Sequence, residues 1–590
     1  MFQKADLNVK RYIAVPVFAF IAHYTLAFHN NGLQFPVGSM INALIFVMLL
    51  LLFSKAELNI KNQKGAFAIS VLFALLTVIG AAVHPLRDDS YSPIIRTLFV
   101  PQTLVFIAGY LLIFFAVISF ALSFSLSHTT VTDKEYELSP LWVFLISFAV
   151  ILCCWIPVWL SEYPAVFASD SKWIFDEIEG LRDLTNHHPV LYTAVMALCY
   201  LPVKALTGNA NAGVAAAAVL QMTVMAVIFA WSVRFMYTRK VKAAVLALTV
   251  AFFALVPHNS LYSVTLWKDI PFAGVMILFV IQIVKLYEKK DTLRFRDLIP
   301  MMAVTLFALL LRNNALYMLP FLIIFLLIVF KKARKQLVSA FAAVIALIFV
   351  INGPIFSLLN IKKSSSAEYI AVPLQQIARI TVNGLELSEE ETQLIDDLIP
   401  LEVLTSEGVY RPTMVDTIKF NANYNADAFN ENKLEYLKLW AKLVIRNPLT
   451  AIDAYCTLTL GYWYPIHCLT AHRGVWTNDI GITSDGYEIA AVDDHIERFE
   501  EWPLLYSTWD LALWMWIALF LAYLTARKKG WRSLGVFVPV GGLWLTLMVA
   551  TPIFAENRYM YAAFVLLPLF AVMPDVMPDQ RIKDKEGKDD

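Results

Sequence analysis

Long apolar runs separated by short polar segments dominate the pattern of the chain. A helix that crosses a bilayer needs about 20 mostly apolar residues. The runs that meet or approach this length lie at 12–28, 37–53, 66–84, 101–125, 141–160, 213–236, 241–256, 271–287, 298–311, 315–330, 336–352, 508–526, 534–551 and 558–573. A further run at 189–206 is ambiguous. The pattern predicts an all-α polytopic membrane protein.

Basic residues between the runs indicate which side each loop faces. Lys and Arg collect in the short cytoplasmic loops of membrane proteins. Here the basic loops lie at 55–64, 239–242, 289–296, 331–335 and 527–532. All of them fall on one side only if residues 189–206 rest in the interface or re-enter. We therefore expect about 14 spans plus a juxtamembrane helix, a plasma-membrane location in a bacterial cell, and both termini in the cytoplasm.

The first run follows Lys4, Lys10 and Arg11 and could be mistaken for a signal peptide. No small-residue cleavage site follows it, so we expect a retained first helix.

The apolar pattern stops between Gly353 and Tyr506. Residues 353–505 hold 11 basic and 22 acidic residues, a net charge of −11, which favours a mainly helical extracytoplasmic domain. Helices are expected at 387–401 and 424–446. The chain thus divides into an N-terminal transmembrane module at 1–352 with an external loop at 161–212, the domain at 353–505, C-terminal spans at 506–574 and a cytoplasmic tail at 575–590.

Composition supports a bilayer protein. Hydrophobic residues make up 59% of the chain and charged residues 16%, against about 45–50% and about 25% in soluble domains. The formal net charge is zero, so nothing in the overall charge favours a nucleic-acid partner. The five cysteines show no zinc-binding spacing. Cys456 and Cys468 would pair in an oxidising compartment or remain packed thiols.

Polar residues at the ends of separate apolar runs converge on the predicted external side. They occur in five segments and comprise Asp170, His187, His188, Trp267, Lys268, Asp269, Arg312, Asn313, Asn314, Gln375, Gln376, Arg379, Glu556 and Arg558. Charged groups at membrane depth usually face a cavity, a partner or water, and mark a functional site. The alternative is that the arginines reach lipid headgroups and the carboxylates only pair with them.

These residue types suit transfer from a lipid phosphate. Phosphate oxygens would be held by a set of cations, Lys268, Arg312, Arg379 and Arg558. Asp170 is the candidate general base for an acceptor hydroxyl. Sugar or acceptor groups would meet the remaining set of polar and aromatic side chains, His187, His188, Trp267, Asp269, Asn313, Asn314, Gln375, Gln376 and Glu556.

A metal role has less support. Adjacent histidines point in different directions on most backbones, so His187 and His188 are expected to form hydrogen bonds. A divalent cation, Mg²⁺ or Mn²⁺, held by Asp170 and Asp269 stays an open alternative that no spacing rule supports.

The same segments resemble the glycosyltransferase C superfamily. The resemblance lies in an acidic residue after a transmembrane helix, Asp170, in the sequence HPVLY at 188–192, and in the turn at 206–208. The motifs SD, NHHP, LWKD, LRNN, PLQQIAR and ENRYMY also look like an uncharacterised bacterial membrane family of that type. The superfamily includes protein O-mannosyltransferases and aminoarabinose transferases. The resemblance covers roughly residues 140–380 and the last span.

The resemblance implies an inverting transfer from a polyprenyl-phosphate-linked sugar to an extracytoplasmic hydroxyl of a surface polymer, glycolipid or protein, with Asp170 as base. Two departures from the superfamily's motifs leave open whether the mechanism uses a metal. Where the superfamily has a D-E pair this chain has Ser169-Asp170, and where it has a second-loop acidic motif this chain has Lys268-Asp269. One alternative is a transporter or flippase for a lipid-linked or anionic solute. Another is a non-catalytic partner in an envelope complex.

Overall fold

A computed structural model describes residues 2–29, 39–56, 58–84, 100–362, 370–466 and 472–581. Over these ranges the chain is helical, and isolated β-bridges are the only extended pairing. The predicted all-α class is confirmed. The chain forms two compact units: unit 1 comprises Met1–Thr129, Ser366–Pro465 and Met548–Ala555, and unit 2 comprises Thr130–Ser365, Ile466–Leu547 and Glu556–Asp590.

Unit 1 contains four apolar helices and a set of amphipathic ones. The apolar helices are α1 (Phe2–Phe28), α2 (Met40–Lys55), α3 (Lys64–Val83) and α4 (Pro101–Ser127).

Unit 2 begins with α5 (Pro140–Ser161), α6 (Ser169–Ile178), α7 (Val190–Thr207), α8 (Ala210–Tyr237), α9 (Ala243–Leu255), α10 (Pro257–Val264), α11 (Asp269–Glu288), α12 (Phe295–Leu311), α13 (Ala315–Val329), α14 (Arg334–Val350) and α15 (Phe356–Leu358). A single π-helical stretch, Ile351–Ile355, joins the last two.

The amphipathic helices of unit 1 follow in the chain: α16 (Ala371–Val382), α17 (Glu389–Leu398), α18 (Leu401–Leu404), α19 (Asp416–Lys419), α20 (Ala426–Glu431), α21 (Lys433–Arg446) and α22 (Pro448–Thr459). The chain then returns to unit 2 with α23 (Ala490–Glu501), α24 (Pro503–Tyr506), α25 (Leu511–Lys529) and α27 (Asn557–Val576), while α26 (Val538–Ala550) ends in unit 1.

The amphipathic helices of unit 1 share a core of their own, which includes Leu374, Ile395 and Leu443. The helix predicted at 387–401 appears as α17, where Ser388 and Glu391 form a capping box. The helix predicted at 424–446 is broken at Asn432 into α20 and α21.

Glu391 ties α17 to α21. Its carboxylate accepts hydrogen bonds from Arg446 at 2.8 and 2.9 Å and lies 2.9 Å from Lys442 Nζ. Burial alone would raise the pKa of Glu391, but the hydrogen bonds from Lys442, Ser388 and Arg446 lower it to about 2. The carboxylate therefore stays charged and keeps the two helices linked at neutral pH.

Unit 2 is built around α8, α11 and α27, its three most enclosed long helices. α11 packs against α8, α12 and α27, and α25 packs against α27. Gly274 lets α11 approach α8 closely, because a Cβ at this position would lie only 2.9 Å from Ile228 of α8. The amino-terminal ends of α11 and α27 carry part of the site described below.

Nine helices of the described ranges are long and apolar enough to cross a membrane, or ten if the bent pair α9 and α10 is one span. The run at 189–206, predicted to lie in the interface, forms α7 and meets this criterion. Four shorter apolar segments are Ile13–Phe28 within α1, Met40–Lys55 (α2), Ala315–Val329 (α13) and Val538–Ala550 (α26). The chain is therefore a multi-pass membrane protein, with nine or ten full-length candidate spans among the described residues.

The compact units group the chain by internal contacts, and the predicted domain limits stay a prediction. Residues 366–465 belong to unit 1, whereas 353–365 and 466–505 belong to unit 2. The segment at 366–465 joins unit 1 because α22 packs against α3 and Val415 N donates a hydrogen bond to Pro552 O at 2.9 Å. Cys468 and residues 582–590 of the predicted tail lie outside the described residues.

Candidate functional site

Asp170 lies in the first turn of α6, in unit 2. The extended residues before α6 are held on two sides. Val166 N donates to Val264 O at 3.1 Å, and Phe167 N donates to Gly474 O at 2.9 Å. These backbone bonds fix the start of α6 and thus the position of Asp170.

Two cations contact the same oxygen of Asp170. Lys268 Nζ lies 3.1 Å and Arg558 NH1 2.8 Å from Oδ2. Asp170 is 20% exposed, Lys268 18% and Arg558 9%. Burial alone would raise the pKa of Asp170, but the charges of Arg558 and Lys268 outweigh it and hold the pKa well below its ordinary value. The free carboxylate is therefore a weak base.

His188 completes this cluster. Lys268 Nζ lies 3.1 Å from His188 Nδ1. Burial, followed by the charge of Lys268, lowers the pKa of His188 well below its ordinary value, so the ring is neutral. Since an ammonium group can only donate, Nδ1 is the acceptor and Nε2 carries the proton. His188 Nε2 is buried and has no hydrogen-bond partner in the described ranges.

Trp267 forms one wall of the cluster. The Arg558 guanidinium carbon lies 4.4 Å from the centre of the Trp267 ring, and the His472 ring meets the indole edge-on at 5.6 Å. Trp267 Nε1 is buried without a hydrogen-bond partner among the described residues. Glu556 Oε1 lies 3.7 Å from Arg558 Nε, and burial raises the pKa of Glu556.

Asp269 and Arg312 form a separate, more deeply buried ion pair. Arg312 NH1 lies 3.2 Å from Asp269 Oδ1, with side-chain exposures of 6% and 1%. Arg312 NH1 also donates to Tyr559 O at 3.0 Å. Arg312 thus has both an anionic partner and a backbone acceptor within unit 2.

The other predicted residues of unit 2 include His187, Asn313 and Asn314. The His187 ring is 4.7 Å from the His188 ring and 5.7 Å from Trp173. Asn313 Nδ2 donates to Asn186 O at 3.0 Å, while Asn314 is exposed at the start of α13.

Gln375, Gln376 and Arg379 belong to unit 1, where their side chains meet neighbours in the amphipathic core. Gln375 Nε2 donates to the carbonyl oxygens of Arg411 and Pro412 at 2.7 and 3.0 Å. Gln376 Nε2 donates to Ala451 O at 2.9 Å. Arg379 is fully buried and its NH1 lies 3.5 Å from the Tyr410 hydroxyl. These contacts all lie within unit 1.

The loop at 472–489 reaches this cluster from a part of the sequence that the motif analysis did not single out. It carries His472, and its backbone pairs with Phe167. Arg473 Nε donates to Glu162 Oε1 at 2.5 Å, and Asn211 Nδ2 donates to Asp485 Oδ2 at 2.6 Å. Its many Gly, Asn, Asp and Thr residues predict a loop, but its contact partners are set by tertiary structure.

Gly486 fixes this loop against the end of α5. Asp485 N and Tyr487 N donate to Tyr163 O and Leu160 O at 3.0 and 2.9 Å, and a Cβ on Gly486 would overlap the Ser161 carbonyl. We expect Gly486→Ala to break this attachment and speed amide exchange of residues 472–489 by roughly tenfold or more, since overpacking costs about 1–3 kcal/mol. Hydrogen-exchange mass spectrometry measures this.

Gly541→Ala is the matched control, because a Cβ there meets nothing within 4 Å and its helix should accept alanine. Unchanged exchange in the Gly486→Ala variant would contradict the attachment.

The carboxylates do not form a metal site. Asp170 faces two cations and Asp269 faces Arg312. Over the described ranges no three His, Cys, Asp or Glu side chains come together as metal ligands would. A divalent cation on Asp170 and Asp269 does not fit this arrangement, because the metal ion would have to displace the basic side chains that already pair with these carboxylates.

Comparisons with known proteins add one family. The model of a family described as "Family of unknown function (DUF6020)" matches residues 179–588, a range that begins after Asp170 and contains Lys268, Asp269 and Arg558. No curated protein matches the chain. No solved structure matches it either.

Proposed function

We propose that this chain, which belongs to the DUF6020 family of unknown function, is an integral-membrane glycosyltransferase that uses a polyprenyl-phosphate-linked sugar. The observation that carries the proposal is Asp170 bound to two cations, Lys268 and Arg558, beside buried N–H groups that lack partners. The resemblance to the glycosyltransferase C superfamily supports the same reaction class.

The unpartnered atoms at the cluster favour an anionic ligand. His188 Nε2, Trp267 Nε1 and Arg558 Nε are buried donors without a hydrogen-bond partner among the described residues. Each buried donor left unsatisfied costs about 1–3 kcal/mol. A phosphate group offers several acceptor oxygens, so it is the ligand class that would satisfy these donors best.

Helix ends add to the positive potential. Four helices of unit 2, α6, α7, α11 and α27, begin within a few residues of Asp170, His188, Asp269 or Arg558. The amino-terminal end of a helix carries a partial positive charge and free N–H groups. Together with Lys268 and Arg558, these ends favour a phosphate over a neutral ligand.

Ligand exchange explains how a paired carboxylate becomes a base. A donor phosphate would attract Lys268 and Arg558 and draw them away from Asp170. Loss of these charges would raise the pKa of Asp170 toward its ordinary value, because their attraction is what lowers it. Asp170 would therefore accept a proton only when the donor is bound.

The proposed transfer is a single displacement at the anomeric carbon. The acceptor oxygen forms a bond to the anomeric carbon, its proton passes to the Asp170 carboxylate, and the bond from that carbon to the phosphate oxygen breaks with its electron pair staying on the phosphate. Attack opposite the leaving group inverts the anomeric centre. The phosphate gains negative charge in this step, so Lys268 and Arg558 stabilise the transition state more than the bound donor.

The proposal includes the membrane topology expected from the sequence. We place both termini and the basic loops in the cytoplasm of a bacterial plasma membrane, with about 14 spans and with α7 lying in the interface or re-entering. The Asp170 cluster then faces the extracytoplasmic side. The acceptor is a hydroxyl of a surface polymer, glycolipid or protein on that side.

Phosphate binding by Lys268 is the first testable consequence. We expect Lys268→Ala to weaken binding of added undecaprenyl phosphate to the detergent-purified protein by about tenfold to a hundredfold, since a charged hydrogen bond contributes about 1.5–3 kcal/mol. Native mass spectrometry over a lipid titration measures the bound fraction.

Lys528→Ala is the matched control for this experiment. Lys528 Nζ lies 2.8 Å from Asp575, and both side chains are as enclosed as those of Lys268 and Asp170, with 15% and 10% exposure. The control variant should bind undecaprenyl phosphate like the wild type. Equal binding by the Lys268→Ala variant would contradict the phosphate site.

A second candidate function, transport of a lipid-linked or anionic solute, draws on one feature of unit 2. α9 and α10 meet at an angle of 49° at Pro257, and interrupted helices are typical of transporter binding sites. Movement of undecaprenyl phosphate between leaflets of reconstituted liposomes, without any covalent product, would favour this candidate.

A further inference from the structure

A polar cavity of about 490 Å³ opens beside α6 in unit 2. Six of its lining side chains are Trp173, Glu177, Arg182, Asp183, Thr185 and Lys362. Cavities of a few hundred cubic ångströms are the usual size for small-molecule sites. None of these residues takes part in the transfer step described above, so the cavity has no assigned role.

The floor of the cavity is held by backbone bonds. Asn186 N donates to Lys362 O at 2.8 Å, and Lys362 N donates to Leu184 O at 3.0 Å. Gly180 turns the chain after α6 with a φ of +74°, a conformation that favours glycine. The lining residues are thus carried by a fixed turn and a paired segment.

Glu177 presents an unused acceptor at this cavity. Its Oε1 accepts from Thr185 Oγ1 at 2.8 Å and from Thr185 N at 3.3 Å. Its Oε2 is buried and has no hydrogen-bond partner in the described part of the chain. Burial raises the pKa of Glu177, as expected for a carboxyl whose second oxygen lacks a donor. No water-sized group reaches this oxygen in the structure, so a ligand hydroxyl would donate to it once the side chains around it move aside.

Aromatic and planar polar groups lie around the Glu177 carboxylate. The Arg182 guanidinium carbon lies 4.3 Å from the centre of the Trp173 ring. Asp183 and Lys362 form an ion pair at the rim. The guanidinium covers one face of the indole, so the C–H face of a ligand would contact the remaining part of Trp173 while Arg182, Asp183 and Lys362 bind its hydroxyls.

Trp173 connects the cavity to the Asp170 cluster. It lies three residues after Asp170, so the two side chains share a face of α6. The Trp173 ring is 5.7 Å from the His187 ring and 6.4 Å from the His188 ring. A ligand in the cavity would therefore lie next to the carboxylate proposed as the base.

We infer that this cavity binds the acceptor, and that the acceptor is a carbohydrate whose sugar ring contacts Trp173 while a hydroxyl donates to Glu177. The inference rests on the proposed transferase function only in making the ligand an acceptor, and carbohydrate binding can be tested by itself. It names the acceptor as a glycan or glycolipid instead of a protein side chain.

Saturation-transfer NMR on the full chain in detergent tests the site, with methyl β-D-glucopyranoside, methyl β-D-galactopyranoside and methyl α-D-mannopyranoside as probes at millimolar concentration. We expect saturation of at least one glycoside by the wild type. Trp173→Ala and Glu177→Gln should each reduce that signal at least fivefold. Trp502→Ala replaces an exposed indole that does not line the cavity, and should leave it unchanged.

Two results would overturn the inference: no saturation of any glycoside by the wild type, or equal saturation in the Trp173→Ala and Glu177→Gln variants with unchanged unfolding temperatures. Glycoside binding that depends on Trp173, in a protein that binds no polyprenyl phosphate, would keep the carbohydrate site and refute the transferase.

Discussion

Replacing Asp170 with Asn should lower the rate of sugar transfer by about 10²–10⁴-fold, the range that a general base contributes. The amide keeps the size of the carboxylate but cannot take the acceptor proton. The same variant should bind undecaprenyl phosphate at least as tightly as the wild type, because Lys268 and Arg558 lose the carboxylate that competes for them. Transfer assays and native mass spectrometry measure the two effects separately.

The opposite changes in rate and binding distinguish this account from a structural role. If Asp170 only held Lys268 and Arg558 in place, the variant would bind the phosphate more weakly. Asp575→Asn is the matched control, since Asp575 Oδ1 also pairs with a lysine at 2.8 Å in unit 2. Transfer at the wild-type rate by the Asp170→Asn variant would show that another group is the base.

Arg312→Met should destabilise unit 2 by about 3–5 kcal/mol, the cost of leaving a buried charge without its partner. Asp269 is 1% exposed and Arg312 is the cation that lies 3.2 Å from it. The variant also loses the hydrogen bond from Arg312 to Tyr559 O. Chemical unfolding in detergent measures the change in free energy.

A second substitution separates charge from packing. Arg312→Met combined with Asp269→Asn removes both charges, so it should recover about half or more of the lost stability. Lys438→Ala breaks an exposed pair and should cost less than about 1 kcal/mol. Equal destabilisation by the single and double variants would mean that Asp269 and Arg312 are not energetically coupled.

The helical class and most helix positions follow from the sequence because apolar runs of membrane length leave few other structures. The capped helix at Glu389–Leu398 was also predictable, since Ser388 and Glu391 carry a local signal. The number of full-length spans was not predictable from the sequence. Helix lengths such as that of Ala315–Val329 depend on where Asn314 and Phe330 end the helix, which the hydropathy pattern does not fix.

The site could be predicted in part. Asp170, Lys268 and Arg558 come together because each lies at or next to the start of a helix, α6, α11 or α27, and these starts lie close to one another. Gln375 looked similar in sequence, but its helix is amphipathic and buries the amide against backbone carbonyls in unit 1. The contact of His472 with Trp267 depends on long-range packing, which no local pattern encodes.

The most direct test of the central claim is native mass spectrometry of the protein purified in detergent, wild type and Asp170→Asn, to identify co-purified lipid. We expect the Asp170→Asn variant to retain a polyprenyl phosphate that carries a sugar, and the wild type to hold only the discharged lipid or none. The absence of any such lipid from both forms, together with failure of both to bind added polyprenyl-phosphate sugars, would contradict the transferase.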